Sequence, residues 1–331
     1  PANGPCDWVS QVVCVPKSNG KDIRLCVDMR RANLAVKRER FPIPTIDKIL
    51  QDLNQSCIFS KLDLRMGYHQ IELHPESREI TTFSTHKGLY RYKRLMMGIS
   101  CAPEMYQKCI QQLIQHVDGA HNILDDIIVH GTSREEHDKR LIQVLGTLKD
   151  NGLTLNKDKC ELNMSKLVFM GHVLSARGIG PAEVKVQAVQ KAREPESAAE
   201  VKSFLGLVTY SSRYIPNFST VSEPLRRLLK QNEPFIWGEE QRASFDKLKR
   251  LLANADTLGY YDVNAKTQVI TDASPVGLGA VLVQEQEGGY RVICYASRSL
   301  TDIERRYSQT EKEALAIVWA CERLHPYLYG I

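Results

Sequence analysis

Two adjacent carboxylates, Asp125 and Asp126, interrupt the apolar run of HNILDDIIVHG, and a third, Asp63, interrupts another in IFSKLDLRMGYHQI. Like charges repel, and a buried carboxylate without a partner is costly, so this placement calls for a positive charge that the neighbouring residues do not supply. A divalent cation is the natural candidate. Successive strand residues face opposite sides, so both aspartates reach one site only at a hairpin turn, with HNIL entering and IIVH leaving. Carboxylates from two strands can hold two Mg2+ ions about 3.5–4 Å apart, one activating a hydroxyl and the other neutralising a leaving pyrophosphate. That chemistry is phosphoryl or nucleotidyl transfer, in which positioning and electrostatics supply most of the catalysis. An Asp-Asp pair taken alone is weak evidence, since surface turns commonly carry one.

The elements that must position these acids follow from local pattern. DWVSQVVCVPKSNGKDIRLCVDMR predicts two strands around the turn KSNG, and FPIPTIDKILQDL an extended entry followed by a helix capped by Thr45. CIFSKLDL reads as a short strand. APEMYQKCIQQLIQHV starts with Pro103 in its first helical turn, and REEHDKRLIQVLGTLKDNG places Leu141, Val144, Leu145 and Leu148 on one face with Gly152 as the stop. LTLNKDKCEL and SKLVFMGHVLS read as further strands. The order strand, helix, strand hairpin, helix, strand predicts an α+β sheet with helices on one face. From about Pro181 the pattern is helical, and near residue 255 a strand-rich block begins, ending in the helix TEKEALAIVWACERL.

Composition excludes several classes. With 43% hydrophobic and 25% charged residues over 331 positions the chain is neither disordered nor fibrous, and its length allows two domains. No stretch approaches the ~18 apolar residues of a membrane span, and no leading signal peptide is visible. Nine cysteines at irregular spacing, without a Cys-x-x-Cys pair, speak against a disulfide framework or a zinc ribbon and suit a reducing compartment. From Lys17 to Lys48 nine Lys or Arg stand against four Asp or Glu, so the net +5 of the whole chain is matched by this strip alone. A basic strip of this kind suits a polyanion such as a nucleic acid or a triphosphate, or simply a solvated face. The chain opens at PANGPCDWVS without an initiator Met and stops at HPYLYGI directly after a helical pattern, as a piece of a longer polypeptide would.

The blocks FSKLDLRMGYHQI, MMGISCAPEMYQ, ILDDIIVHG, GLTLNKDKCEL and FMGHVLS resemble, in order and spacing, the reverse transcriptase of gypsy-type long-terminal-repeat retrotransposons. EVKSFLGLVTYSSRYIPNFS is similar to that family's thumb, and ITDASPVGLGAVL through YSQTEKEALAIVWACERLHPYL to the first half of its ribonuclease H domain. The resemblance implies an α+β right-hand polymerase of fingers, palm and thumb followed by a truncated ribonuclease H-like α/β domain. The divisions it implies are fingers and palm in 1–175, thumb and helical connection in 176–254, and a partial ribonuclease H-like domain in 255–331. It implies an RNA-directed DNA polymerase that uses Mg2+ or Mn2+, takes dNTPs, and works on template-primer RNA or DNA and RNA–DNA hybrid. Asp63 and Asp125 would bind the catalytic metals with Asp126 in support, Tyr68 would be the steric gate under the sugar, and Lys17 and Arg24 would grip the triphosphate. Met170 and Gly171 would form the primer grip. Asp272 and Glu313 would be the first two acids of the ribonuclease H metal site.

Two departures accompany the match. Ile123 stands where the family usually carries Tyr, and Met96 and Met97 replace a Pro-Phe pair before Gly98. The later ribonuclease H acids fall beyond Ile331, so no ribonuclease H activity is expected from these residues alone. Two other readings stay open: a degenerate or domesticated copy that binds nucleic acid without catalysis, and a nucleotidyl cyclase built on a similar sheet.

Overall fold

The structure is a computed structural model that describes residues 6–16, 20, 23–231, 233–286 and 288–329. Its contacts divide the chain into two compact units, one of Pro1–Ile49 with Ile58–Met164 and one of Leu50–Cys57 with Ser165–Ile331.

In chain order the first unit brings strands β1 (Val12–Pro16) and β2 (Ile23–Val27), then helix α1 (Ile46–Asp52), inside which the division between units falls. Strands β3 (Ile58–Asp63), β4 (Phe83–Thr85) and β5 (Gly88–Tyr90) follow, then helix α2 (Ala102–Ile114), strands β6 (Ala120–Ile123) and β7 (Asp126–Gly131), helix α3 (Arg134–Asp150) and strand β8 (Glu161–Met164). β1 and β2 form the expected hairpin, with Val12 opposite Val27 and Pro16 opposite Ile23. Of its alternating apolar residues only Val27 is buried; Val13, Val15, Ile23 and Leu25 are exposed. Thr45 caps α1 as its hydroxyl predicts, accepting from the Lys48 N–H at 3.4 Å.

The central sheet runs β6-β7-β3-β8, antiparallel throughout. Ile127, Ile128 and Val129 are consecutive and fully buried, so β7 is covered on both faces, which explains its unbroken apolar run. α2 buries Tyr106, Ile110 and Ile114 at helical spacing, and α3 buries Leu141, Val144 and Leu148; both join one core with Leu62 and Val129. α3 begins at Ser133, whose hydroxyl accepts from the Glu136 N–H. Ser60 Oγ lies 3.0 Å from His137 Nε2, and His137 Nδ1 lies 3.0 Å from Asp138 Oδ1. The residue types are those of a nucleophile, base and orienter, but Ser60 and His137 are wholly buried and fasten strand to helix. LTLNKDKCEL is not one strand: a single bridge at Leu155 and a 3-10 turn at Lys157–Lys159 precede β8. The polar Asn-Lys-Asp-Lys run has no apolar face to bury, and the Asn156 N–H is taken by the Asp63 carbonyl at 2.8 Å.

The second unit contains β9 (Lys166–Phe169), β10 (His172–Ser175), β11 (Gly178–Pro181), α4 (Glu183–Gln190), α5 (Ala198–Thr209), α6 (Phe218–Val221), α7 (Glu223–Arg227) and α8 (Glu239–Ala253). After these come β12 (Thr267–Ala273), β13 (Gly277–Gln286), β14 (Gly289–Ser299), α9 (Gln309–Arg323) and α10 (His325–Leu328). SKLVFMGHVLS, expected as one strand, is the β9–β10 hairpin, because Met170 (φ 46°) and Gly171 (φ 74°) take left-handed conformations that reverse the chain. The helices close on Val201, Phe204, Val208, Phe245, Leu248 and Leu252. β12-β13-β14 form an antiparallel sheet, and α9 packs Ala316 and Ala320 against Leu278, Ala280 and Leu282 of β13. Leu50 and Leu53 are also buried in this unit, and Gln51 Nε2 donates to the Pro326 carbonyl. Among the described residues no helix is long and apolar enough to cross a membrane.

Candidate active site

The Asp-Asp pair lies at a hairpin turn, as its strand context predicts. Ile123 of β6 pairs with Asp126 of β7, leaving Leu124 and Asp125 as the two-residue loop. Leu124 has φ 50°, a left-handed conformation that a branched apolar residue adopts only under constraint. The constraint is Gln107 of α2, fully buried, whose Oε1 accepts from the Leu124 N–H at 2.7 Å while its Nε2 donates to the Asn122 carbonyl at 2.9 Å. Sequence reasoning missed Gln107; the signal was a polar residue beside the buried Tyr106–Ile110–Ile114 face of the helix.

Asp63 ends β3 directly opposite Asp126. Its backbone is fixed by the carbonyl bond from Asn156 and by its own N–H to Cys160 Sγ at 3.4 Å. Lys159 Nζ lies 3.5 Å from Asp63 Oδ2, and Lys61 Nζ 3.3 Å from Asp126 Oδ1. Among the described residues Asp125 has no such ion pair and its buried Oδ1 no hydrogen-bond partner; burial first, then the charges of Asp63 and Asp126, push its pKa above the usual carboxylate range against the smaller pull of Lys159.

Tyr68 follows in a 3-10 turn entered through Met66 at φ 51°. Its half-buried ring stacks on Tyr106 at 4.8 Å between centroids, and burial and the Asp125 charge raise its hydroxyl pKa. Between Tyr68 and the turn sits Gly67: a Cβ there would lie 2.4 Å from Tyr106 Oη and 3.1 Å from Asp125 Oδ1, so glycine is required by close approach. Ile123 is buried beside the turn, Met96 is core, and Met97 is exposed. Arg24 is exposed on β2 opposite Val15, while Lys17 lies outside the described residues.

The three carboxylates are thus gathered at the end of one sheet, with crowding and one orphaned buried oxygen. A hard divalent cation fits that donor set, since it would offset the charge of the half-buried Asp125 and relieve the mutual repulsion of the three carboxylates. Among the described residues no group of three or more acidic, imidazole or thiol side chains already stands in metal-holding positions; Asp63 and Asp126 are turned to their lysines.

The remaining residues lie in the second unit. Met170 and Gly171 form the β9–β10 turn, where the Tyr210 hydroxyl donates to the Met170 carbonyl. A Cβ at Gly171 would come within 2.8 Å of the Tyr210 ring, and that ring also stacks on His172. Tyr210, another residue that sequence reasoning passed over, covers this turn. Asp272 is exposed on β12 opposite Gly279. Glu313 on α9 accepts from Gln309 Nε2 at 2.7 Å, and the same nitrogen donates to the Ala273 carbonyl at 2.9 Å, tying Glu313 to the residue next to Asp272.

Residues 15–174 match the family model described as reverse transcriptase (RNA-dependent DNA polymerase), and residues 237–331 match an RNase H-like domain found in reverse transcriptase. The chain is 38% identical over 317 residues to the retrovirus-related Pol polyprotein from transposon 412 of Drosophila melanogaster, covering 95% of the chain and 26% of that protein. It is 37% identical over 337 residues to the corresponding polyprotein from transposon 297 of the same fly, covering all of the chain and 31% of that protein. The chain therefore spans about a quarter to a third of the length of these relatives. Among solved structures it is similar to a foamy viral protease-reverse transcriptase in complex with double-stranded DNA (TM-score 0.90, 24% identity, 99% of this chain and 58% of that one). It is also similar to the foamy viral protease-reverse transcriptase in complex with RNA/DNA hybrid (TM-score 0.86, 23% identity, 99% and 44%). At those identities the likeness speaks to the fold.

Proposed function

We propose, from the premise that the chain belongs to the reverse transcriptases of retrovirus-related Pol polyproteins, that it is an RNA-directed DNA polymerase segment of the gypsy type. The observation that carries this reading is the convergence of Asp63, Asp125 and Asp126 on one sheet end, with Asp125 Oδ1 buried and unpartnered. Asp63 and Asp125 would hold Mg2+ or Mn2+, and Asp126 would support them. When bound, the cations supply a lowered pKa at the primer hydroxyl and counter-charge for the leaving pyrophosphate. Gln107 keeps the aspartate turn in register. Tyr68, braced on Tyr106, limits the space beneath the nucleotide sugar and so favours dNTPs. Arg24 and Lys17 belong to the triphosphate grip, and Met170 and Gly171 to the primer grip.

Template-primer RNA or DNA is the proposed partner, and RNA–DNA hybrid the substrate of a ribonuclease H site begun by Asp272 and Glu313. Two acids do not fix two metals, so hybrid cleavage is assigned to the longer parent protein. The functional division is fingers and palm in 1–175, thumb and connection in 176–254, and partial ribonuclease H in 255–331. Primer extension on an RNA template with dNTPs and Mg2+ tests the reading. Template-dependent DNA synthesis that disappears in Asp125→Asn supports it. Equal incorporation by both chains refutes the catalytic assignment, and retained template binding without synthesis identifies a binding module.

A further inference from the structure

Tyr106 has more to it than a core ring. It is fully buried on α2, yet its hydroxyl has no hydrogen-bond partner among the described residues. Asp125 Oδ1 is likewise buried and unpartnered. Each orphan is costly alone, and the two are complementary: a tyrosine hydroxyl donates, and an ionised carboxylate only accepts. Both oxygens border the same small gap, since one Cβ position at Gly67 would touch Tyr106 Oη at 2.4 Å and Asp125 Oδ1 at 3.1 Å. The missing side chain of Gly67 keeps that gap open.

Three other donors around the turn are engaged, while the buried Asn122 Nδ2 has no partner among the described residues. Lys61 pairs with Asp126, Lys159 with Asp63, and the Gln107 amide donates to the Asn122 carbonyl. Burial and the neighbouring acidic charges keep the Tyr106 hydroxyl protonated and so able to donate. Its ring is held in place by the Tyr68 stack.

We propose that Tyr106 is a positioning residue for Asp125: the two oxygens are not bonded to each other in this structure, and when a divalent cation binds, the Tyr106 hydroxyl closes on Oδ1 and donates to it, which leaves the second carboxylate oxygen for the cation. This rests on the polymerase reading of the site. The same tyrosine thereby joins the floor of the sugar pocket, through Tyr68, to the carboxylate that holds the ion.

Tyr106→Phe removes one oxygen and keeps the ring, so packing and the Tyr68 stack survive. The test is titration of the full chain with Mn2+, followed by the electron paramagnetic resonance signal of the free ion, beside steady-state primer extension. A hydrogen bond to a charged group is worth enough that its loss weakens Mn2+ binding about tenfold. The expected pattern is that loss, a similar fall in kcat, a KM for dNTP within about twofold of native, and an unchanged melting midpoint. Native-like Mn2+ binding by Tyr106→Phe, with binding impaired in Asp125→Asn, overturns the role of Tyr106 and leaves the polymerase reading standing. Native-like Mn2+ binding and extension by Asp125→Asn overturns both. A rise in KM with kcat unchanged also refutes it, because it makes Tyr106 a support of the sugar pocket alone.

Discussion

The two acidic sets of this chain are built on opposite principles. Asp63, Asp125 and Asp126 are gathered at the end of one sheet, where Lys159 and Lys61 pair with Asp63 and Asp126 and Asp125 Oδ1 is left buried without a partner among the described residues. Asp272 stands in the open on β12, and Glu313 is held through Gln309 without a third acid among the described residues. The first arrangement carries an internal strain that a cation would release; the second carries almost none. Like-charge clusters of the first kind are where function is obtained at the expense of stability.

The largest expected effect lies in catalysis at the crowded set. Asp125→Asn should lower primer extension on the order of a thousandfold or more, as loss of a metal-holding carboxylate does; incorporation at native rates would break the comparison at once. Acid sensitivity comes next. His130, buried on β7 of the same sheet, has its pKa pushed down to about 3 by burial and then by the neighbouring His121 and Arg140. The unfolded chain then takes up the proton first as pH falls, so the full stability present above pH 6.5 is lost progressively toward pH 3, by up to about 4 kcal/mol. Melting curves at pH 7 and pH 5 should show a drop in the native chain that His130→Gln largely removes; equal drops in both would discard His130 as the cause.

Glycines beside each set sharpen the contrast. Gly67→Ala meets the rigid, buried end of Tyr106 at 2.4 Å and should cost about 1–3 kcal/mol of unfolding free energy. Gly279→Ala, opposite Asp272, meets the movable amide oxygen of Asn217 at 2.3 Å and should cost less in chemical denaturation. The reverse ranking would contradict the picture of a rigid first site. The smallest effect is a gain. Because the Asp125 pKa is raised, the ionised form destabilises the fold at neutral pH, so Asp125→Asn should stabilise the chain in chemical denaturation, while the exposed Asp272→Asn stays within about 0.5 kcal/mol. That gain should fade as pH falls through the raised pKa and vanish below the ordinary value of 3.8, where the carboxyl is protonated in both states.

Much of this was legible in residue order. The apolar flanks of ILDDII demanded a turn between the aspartates, Pro103 marked the start of α2, and the 3.6-residue spacing located α5, α8 and α9. What was not legible depended on contacts between distant segments. Gln107 and Tyr106 look like ordinary helix residues until β6 and β3 are set beside them, and Tyr210 looks like a helix end until the β9–β10 turn meets it. The β9–β10 hairpin was hidden from pattern for a local reason: Met170 takes a left-handed φ that propensity disfavours, so apolar spacing reads as strand and the turn at Met170 and Gly171 comes only from the primer-grip resemblance. Lys17 lies outside the described residues, and its role rests on the resemblance alone.

The second unit borrows Leu50–Cys57 from the early part of the chain, where Leu53 is completely enclosed. During synthesis that octapeptide emerges more than a hundred residues before the rest of its unit, so the second unit cannot be completed until Ser165 and its successors arrive. A fragment begun at Ser165 would lack this piece altogether, and adding the octapeptide back in trans is a direct way to restore it.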